Sequence, residues 1–354
     1  MTSTPRGAVD WDDAAALAGR LAPPGPVLGR AEMADLVGSL RAAAHRAVEP
    51  VADITGLRPP DDAPPGGTAT VLVVDRPGWA RSMAGLTEDA LALPDGRSVP
   101  LAAELVGSAE VGGALAALAT KVLGQLDPYA PEAGRGSPGR LLLVAPNVLR
   151  TERDLRVRPA DFRLWVCLHE QTHALQLTAA PWLSGHLRDR TRGVLADLSG
   201  APGGVRALAG RVRAAATGTW GAVRGRDGAS VLDGMLDGDQ RSRLDEVTAV
   251  MALLEGHADV AMDAVGPAVV PTVRTIRRRF EQRRAEPGTR DGLVRRLLGM
   301  DAKLAQYRDG ARFVRAVTRQ VGTDGFNAVW TGPGALPSAR EIADPDAWVR
   351  RVHG

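Results

Sequence analysis

His169-Glu170-Gln171-Thr172-His173 is the stretch of this 354-residue chain whose residue types and spacing could do chemistry. Residues four apart in a helix are rotated by only about 40°, so both imidazoles would face one point and could share a metal ion. The glutamate between them then reaches a water at that ion. In peptidases with this H-E-x-x-H pattern the carboxylate takes a proton from the water, while zinc lowers the water's pKa and polarises the substrate carbonyl. Glu170 is therefore expected to be the general base and not a ligand. The plain alternative is a pattern arisen by chance in a helix, with both histidines satisfied by ordinary hydrogen bonds. Against it, the run lies in an otherwise apolar segment, where these polar groups would be costly without a metal or partners.

A catalytic zinc needs a third protein ligand and one open position. A longer histidine motif fails here, because it would require Gly at Gln176 and His at Ala179. Leu253-Leu254-Glu255-Gly256-His257-Ala258-Asp259 supplies a glutamate from another helix. Glu255 and Asp259 share a helix face, so spacing alone leaves either acid as the ligand. The longer glutamate side chain makes Glu255 the expected ligand, with Asp259 accepting the outer N–H of a zinc-bound histidine. The bland reading of the pair is a helix face of solvated acids. His257, rotated about 200° from Glu255, is expected to point elsewhere. Lys303 and Tyr307 are four apart and could present a cation and a phenol to a polarised carbonyl, or form the polar edge of a packed helix. His186 reads as structural or superficial, and His45 and His353 carry less information.

The elements that must position these groups are also visible. Pro159 suits a first helical position and Asp161 a first turn, and Phe162 to Leu168 is apolar nearly all round, as in a buried helix running to about Ala180. Strands are expected at Arg140–Val144 immediately upstream and at Thr70–Asp75. Glu255 falls in a helix over about Asp239–Val265, stopped by Gly266-Pro267. Helical segments are expected over 11–51 with a break at Pro23–Pro26, over most of 100–126, and over 272–286 and 291–321. Loops are expected at 58–67 and 131–139. Residues 181–234 read as an insertion or mobile cover, and the tail beyond Gly322 as loop-like, with Trp330 and Trp348 as packing anchors.

The run Phe162-Arg163-Leu164-Trp165-Val166-Cys167-Leu168-His169-Glu170-Gln171-Thr172-His173, followed by Ala180-Pro181-Trp182-Leu183, resembles the actinobacterial zincin-like metallopeptidase family. Its members are often labelled as associated with biosynthesis of the deazaflavin coenzyme F-420. Glu255 to Asp263, Asp301 to Tyr307 and Phe326 to Trp330 are similar to it too, and the resemblance spans roughly Leu141 to Val352. It implies a zincin-like fold and a peptidase. The expected fold is mainly helical α+β, zincin-like, with a small sheet and two metal-bearing helices. Residues 135–354 would form the metallopeptidase region, and 1–134 either a subdomain or part of the same globule.

Composition narrows the remaining classes. A hydrophobic fraction of 44% and a charged fraction of 24% are ordinary for a globule and exclude a disordered or fibrous chain. Cys167 is the sole cysteine, so neither an intrachain disulfide nor a cysteine zinc cluster can form. No signal-like or membrane-spanning run is visible, which makes the cytoplasm the expected compartment. A net charge of +3 is small for this length and does not point to nucleic acid. Arg274, Arg277, Arg278, Arg279, Arg283 and Arg284 form a basic cluster, expected to be a solvated or salt-bridged helix face. The expected cofactor is one zinc ion per chain and the expected partner a peptide or protein substrate. A zincin-fold protein that keeps zinc to bind a ligand or partner, without turnover, is the competing class. An intact Glu170 favours catalysis, since a purely structural zinc has no need of a neighbouring base.

Overall fold

The computed structural model describes residues 9–58, 69–91, 101–130, 139–200, 238–285 and 300–354. The chain opens with helices α1 (Trp11–Leu21) and α2 (Arg30–Thr55), strand β1 (Thr70–Val74), and helices α3 (Arg76–Leu91) and α4 (Leu101–Leu118). Strands β2 (Gly124–Asp127) and β3 (Arg140–Val144) lead into α5 (Ala145–Asp154), α6 (Pro159–Ala179) and α7 (Trp182–Gly200). The rest is helical: α8 (Gly238–Ala264), the single turn α9 (Gly266–Val269), α10 (Val273–Ala285), α11 (Met300–Phe326), α12 (Ala339–Ala343) and α13 (Pro345–His353). This is the mainly helical α+β architecture with a small sheet that the sequence predicts.

The three strands run in the order β1-β3-β2, with β1 parallel and β2 antiparallel to β3. Alternate side chains of a strand point to opposite faces, and the central strand obeys this strictly. Leu141 and Leu143 join one apolar cluster with Leu36 and Leu40 of α2 and Phe162, Leu164 and Leu168 of α6. Leu142 and Val144 join the other, with Ala15 and Ala18 of α1, Trp79 and Ala80 of α3, and Leu115 and Ala116 of α4. Being covered on both faces explains why Leu141-Leu142-Leu143-Val144 is an unbroken apolar run. Residues on both sides of position 134 thus share one sheet and one core.

The helix expected to continue through Leu126 instead ends at Leu118, and Gly124–Asp127 is a strand. Asn147 is the reason: its side-chain amide donates to the carbonyls of Ala119, at 2.8 Å, and Val122, at 2.7 Å. That holds the chain in the turn that leads it into the sheet. The tail is a second correction. Beyond Gly322 it is helical, because Ser338 and Glu341 form a reciprocal cap that starts α12 and Pro345 sits in the first turn of α13. Trp330 and Trp348 are buried anchors there, as expected. The 201–234 part of the expected insertion lies outside the described residues, while 182–200 form α7.

Helix α6 is fastened at several points. Arg163 makes a bidentate pair with Glu152 at 2.9 and 2.7 Å and also donates to Ser39. Gln171, fully buried, donates to the Ala44 carbonyl of α2 at 3.0 Å. Asp161 accepts from the backbone N–H and hydroxyl of Thr272, joining the start of α6 to the segment before α10. Among the described residues no helix is long and apolar enough to cross a membrane.

Candidate metal centre

Helices α6 and α8 meet at three side chains that could hold an ion: His169 and His173, one turn apart on α6, and Glu255 on α8. The Nε2 atoms of His169 and His173 are 3.2 Å apart. Glu255 presents Oε2 to His169 and Oε1 to His173, each at 3.6 Å from the facing Nε2. Tetrahedral zinc with bonds of about 2.0–2.1 Å sets ligand atoms roughly 3.3 Å apart. The three separations bracket that value, and a carboxylate with two imidazoles is a donor set that zinc accepts. All three side chains stay partly exposed.

Glu170 projects from the same helix into a closed environment against the sheet. Burial, with the nearby Glu255 carboxylate adding to it, raises its pKa from 4.5 to about 8. Its wall is Gly124, the first residue of β2. A Cβ added at Gly124 would lie 2.7 Å from each of Cγ, Cδ and Oε1 of Glu170, so the carboxylate fits only because residue 124 has no side chain. The residue pattern of 100–126 is mostly helical and hides this contact. The one available signal was a glycine interrupting that helix.

A family model of zincin-like metallopeptidases matches residues 9–349. The chain belongs to this family. The match takes in the N-terminal helices and β1 as well as the region that carries the metal triangle. A crystal structure from Chloroflexus aurantiacus, described as a candidate hydrolase with a novel fold, is similar at 29% identity. The similarity covers 98% of this chain and 99% of that one, with a TM-score of 0.67. No curated protein matches.

The outer contacts of this zincin-like metallopeptidase site differ from those expected. Asp259 is engaged by an arginine: its carboxylate accepts from Arg277 of α10 at 2.7 Å, and Arg277 also pairs with Asp263. A guanidinium with five fixed donors outcompetes a neutral imidazole for the acid. The atom facing His173 Nδ1 is instead Gln176 Oε1, at 2.9 Å, and His169 Nδ1 lies 3.2 Å from the Met262 sulfur. His257 points away from the triangle, as its rotation predicts, and stacks obliquely on Phe326 and Trp330 in the core. Burial drives its pKa down to about 3, so the ring is neutral. The side chains of Lys303 and Tyr307 lie outside the described residues. In the arginine cluster, Arg277 is held by the two aspartates, Arg279 donates to the Leu155 carbonyl and Arg283 lies 3.6 Å from Asp154. Much of that basic face therefore fastens α10 to its neighbours.

Proposed function

We propose that the protein is a zinc-dependent peptidase in which His169, His173 and Glu255 hold one zinc ion per chain and Glu170 is the general base. The observation that carries this reading is the walled-in carboxylate of Glu170, on the helix of both histidine ligands but outside the ligand triangle. A site that only stores a metal has no use for such a group. Zinc, when bound, supplies a Lewis acid for the substrate carbonyl and acidifies the attacking water. Glu170 takes the proton from that water on its carboxylate and returns it to the leaving nitrogen. A carboxylate held beside the attacking water can make both transfers. Strand β2 supports a peptide as substrate: among the described residues it is an edge strand, paired with β3 on one side, and its first residue lies against Glu170. The backbone groups on the other side of such a strand can pair with an extended chain.

The test combines metal analysis with a peptide-library cleavage assay. Wild type should carry about one zinc and cleave. Glu170→Gln should keep the metal and lose cleavage, and a His169→Ala, His173→Ala double variant should lose both. Wild type that binds zinc but cleaves nothing in a broad library, like its Glu170→Gln variant, would favour a ligand-binding role over hydrolysis.

A further inference from the structure

We infer that Gln176 is a positioning residue for the metal centre: its carboxamide holds His173 in the Nδ1–H tautomer and ties that histidine to the segment bearing Glu255. The inference rests on the zinc reading only in naming the ion that uses the freed nitrogen. Its basis is a closed set of donors and acceptors. The Leu254 carbonyl can only accept, and it lies 3.0 Å from Gln176 Nε2. The nitrogen end of the amide is fixed there. The second hydrogen of the same NH2 meets His257 Nδ1, also at 3.0 Å. Two donors are thereby spent on two acceptors.

Oε1 remains, 2.9 Å from His173 Nδ1, and a carbonyl oxygen only accepts. The proton must sit on His173 Nδ1, which leaves Nε2 with a free lone pair. That Nε2 is the atom at 3.2 Å from His169 Nε2 and 3.6 Å from Glu255 Oε1. A metal ion requires this tautomer, since a protonated Nε2 cannot ligate. Gln176 has no solvent exposure, so losing one of these bonds would leave a buried polar group unsatisfied. Leu254 immediately precedes Glu255, so one side chain of α6 fixes both the ring of one ligand and the register of the helix bearing another. His257 braces the amide from behind, with Phe326 and Trp330 5.1 and 5.5 Å from its ring centre. Glutamate would serve poorly at this position. Its carboxylate would accept from His173 but set an oxygen against the Leu254 carbonyl and the His257 lone pair.

A packing role and a positioning role part company in the histidine's tautomer. In metal-free protein labelled with 15N-histidine, long-range 1H–15N spectra report which ring nitrogen carries the proton, and a His173→Gln variant assigns the signal among the six histidines. Wild type should show His173 as the pure Nδ1–H form. Gln176→Met, close in shape but without an amide, should lose that single tautomer and bind zinc roughly ten- to a hundredfold more weakly in competition with a chromophoric chelator. An Nε2–H form in wild type overturns the inference whatever the Gln176 variant does. So does a folded Gln176→Met with unchanged tautomer and zinc affinity. A wild type with the Nδ1–H form that binds no zinc would uphold the role of Gln176 and sink the zinc reading instead.

Discussion

Gly124→Ala isolates the general base from the metal. The added methyl carbon would sit 2.7 Å from three atoms of Glu170, whereas carbon atoms in contact settle at about 3.5–4.0 Å. Restoring contact requires a displacement of roughly 0.8 Å or more, shared between the carboxylate and the backbone of β2. Glu170 is only 6% exposed, so it has little free space to move into. Misplacing a reacting group by about 1 Å costs on the order of a hundredfold in rate. His169, His173 and Glu255 are not among the atoms nearest the new methyl, so the metal should stay. The expected result is near-normal zinc content, a loss of about 1–3 kcal/mol in stability from overpacking, and kcat down by about two orders of magnitude. Zinc analysis, denaturant unfolding and peptide hydrolysis read the three quantities separately, with Glu170→Gln giving the floor for the last. A Gly124→Ala enzyme with zinc bound and wild-type kcat would refute the claim that β2 positions the base.

Further outcomes follow from other contacts. Glu255→Ala should lose most of the bound zinc, whereas Asp259→Asn should keep it, because Asp259 is engaged by Arg277; metal loss in Asp259→Asn would reverse that assignment. The same Asp259→Asn change should cost no more than about 1 kcal/mol in stability, as expected for a partly exposed ion pair. In chelated protein Glu170 has a folded-state pKa of about 8 against an ordinary 4.5, so the native state binds more protons between those values and stability falls as pH rises through the window. Metal-free Glu170→Gln should therefore match wild type below pH 4.5 and melt higher above pH 8, and parallel melting curves across that range would contradict the shift. Gly310→Ala should destabilise by about 1–3 kcal/mol or more in denaturant unfolding, since its Cβ would strike the Ala252 backbone where α11 crosses α8; an unchanged midpoint would show that the crossing is looser.

What was legible in the sequence was what one helix determines by itself. His169, Glu170 and His173 follow from the helical repeat, and an apolar helix that carries them forecasts its own burial. Glu255 was legible as a candidate because it is an acid among Leu253, Leu254 and Ala258, although spacing alone left Asp259 beside it as the alternative. The pairing of Asp259 was not legible, because Arg277 comes from α10 and the arginine cluster gave no sign of which member would turn inward. Gln176 was visible only as a residue that broke a longer histidine motif. Its three partners lie on two helices, and no periodicity connects them. The capped tail was within reach, since Ser338 and Glu341 have the spacing of a capping box.

The difference between the two groups is physical. A ligand set must converge on a point about 2 Å from each donor, and helical spacing encodes that convergence in the chain. The parts that make such a set selective are contacts of exclusion and orientation: a missing Cβ at Gly124, an amide at Gln176 whose two ends face chemically different neighbours. Both depend on how α6 is seated against the sheet and against α8. That seating comes from groups remote from the metal, among them Arg163 with Glu152, Gln171 with Ala44 and Asp161 with Thr272. A substitution at one of these should therefore leave the motif intact in the sequence and still weaken the site, because it shifts the whole helix that carries His169, Glu170 and His173 together.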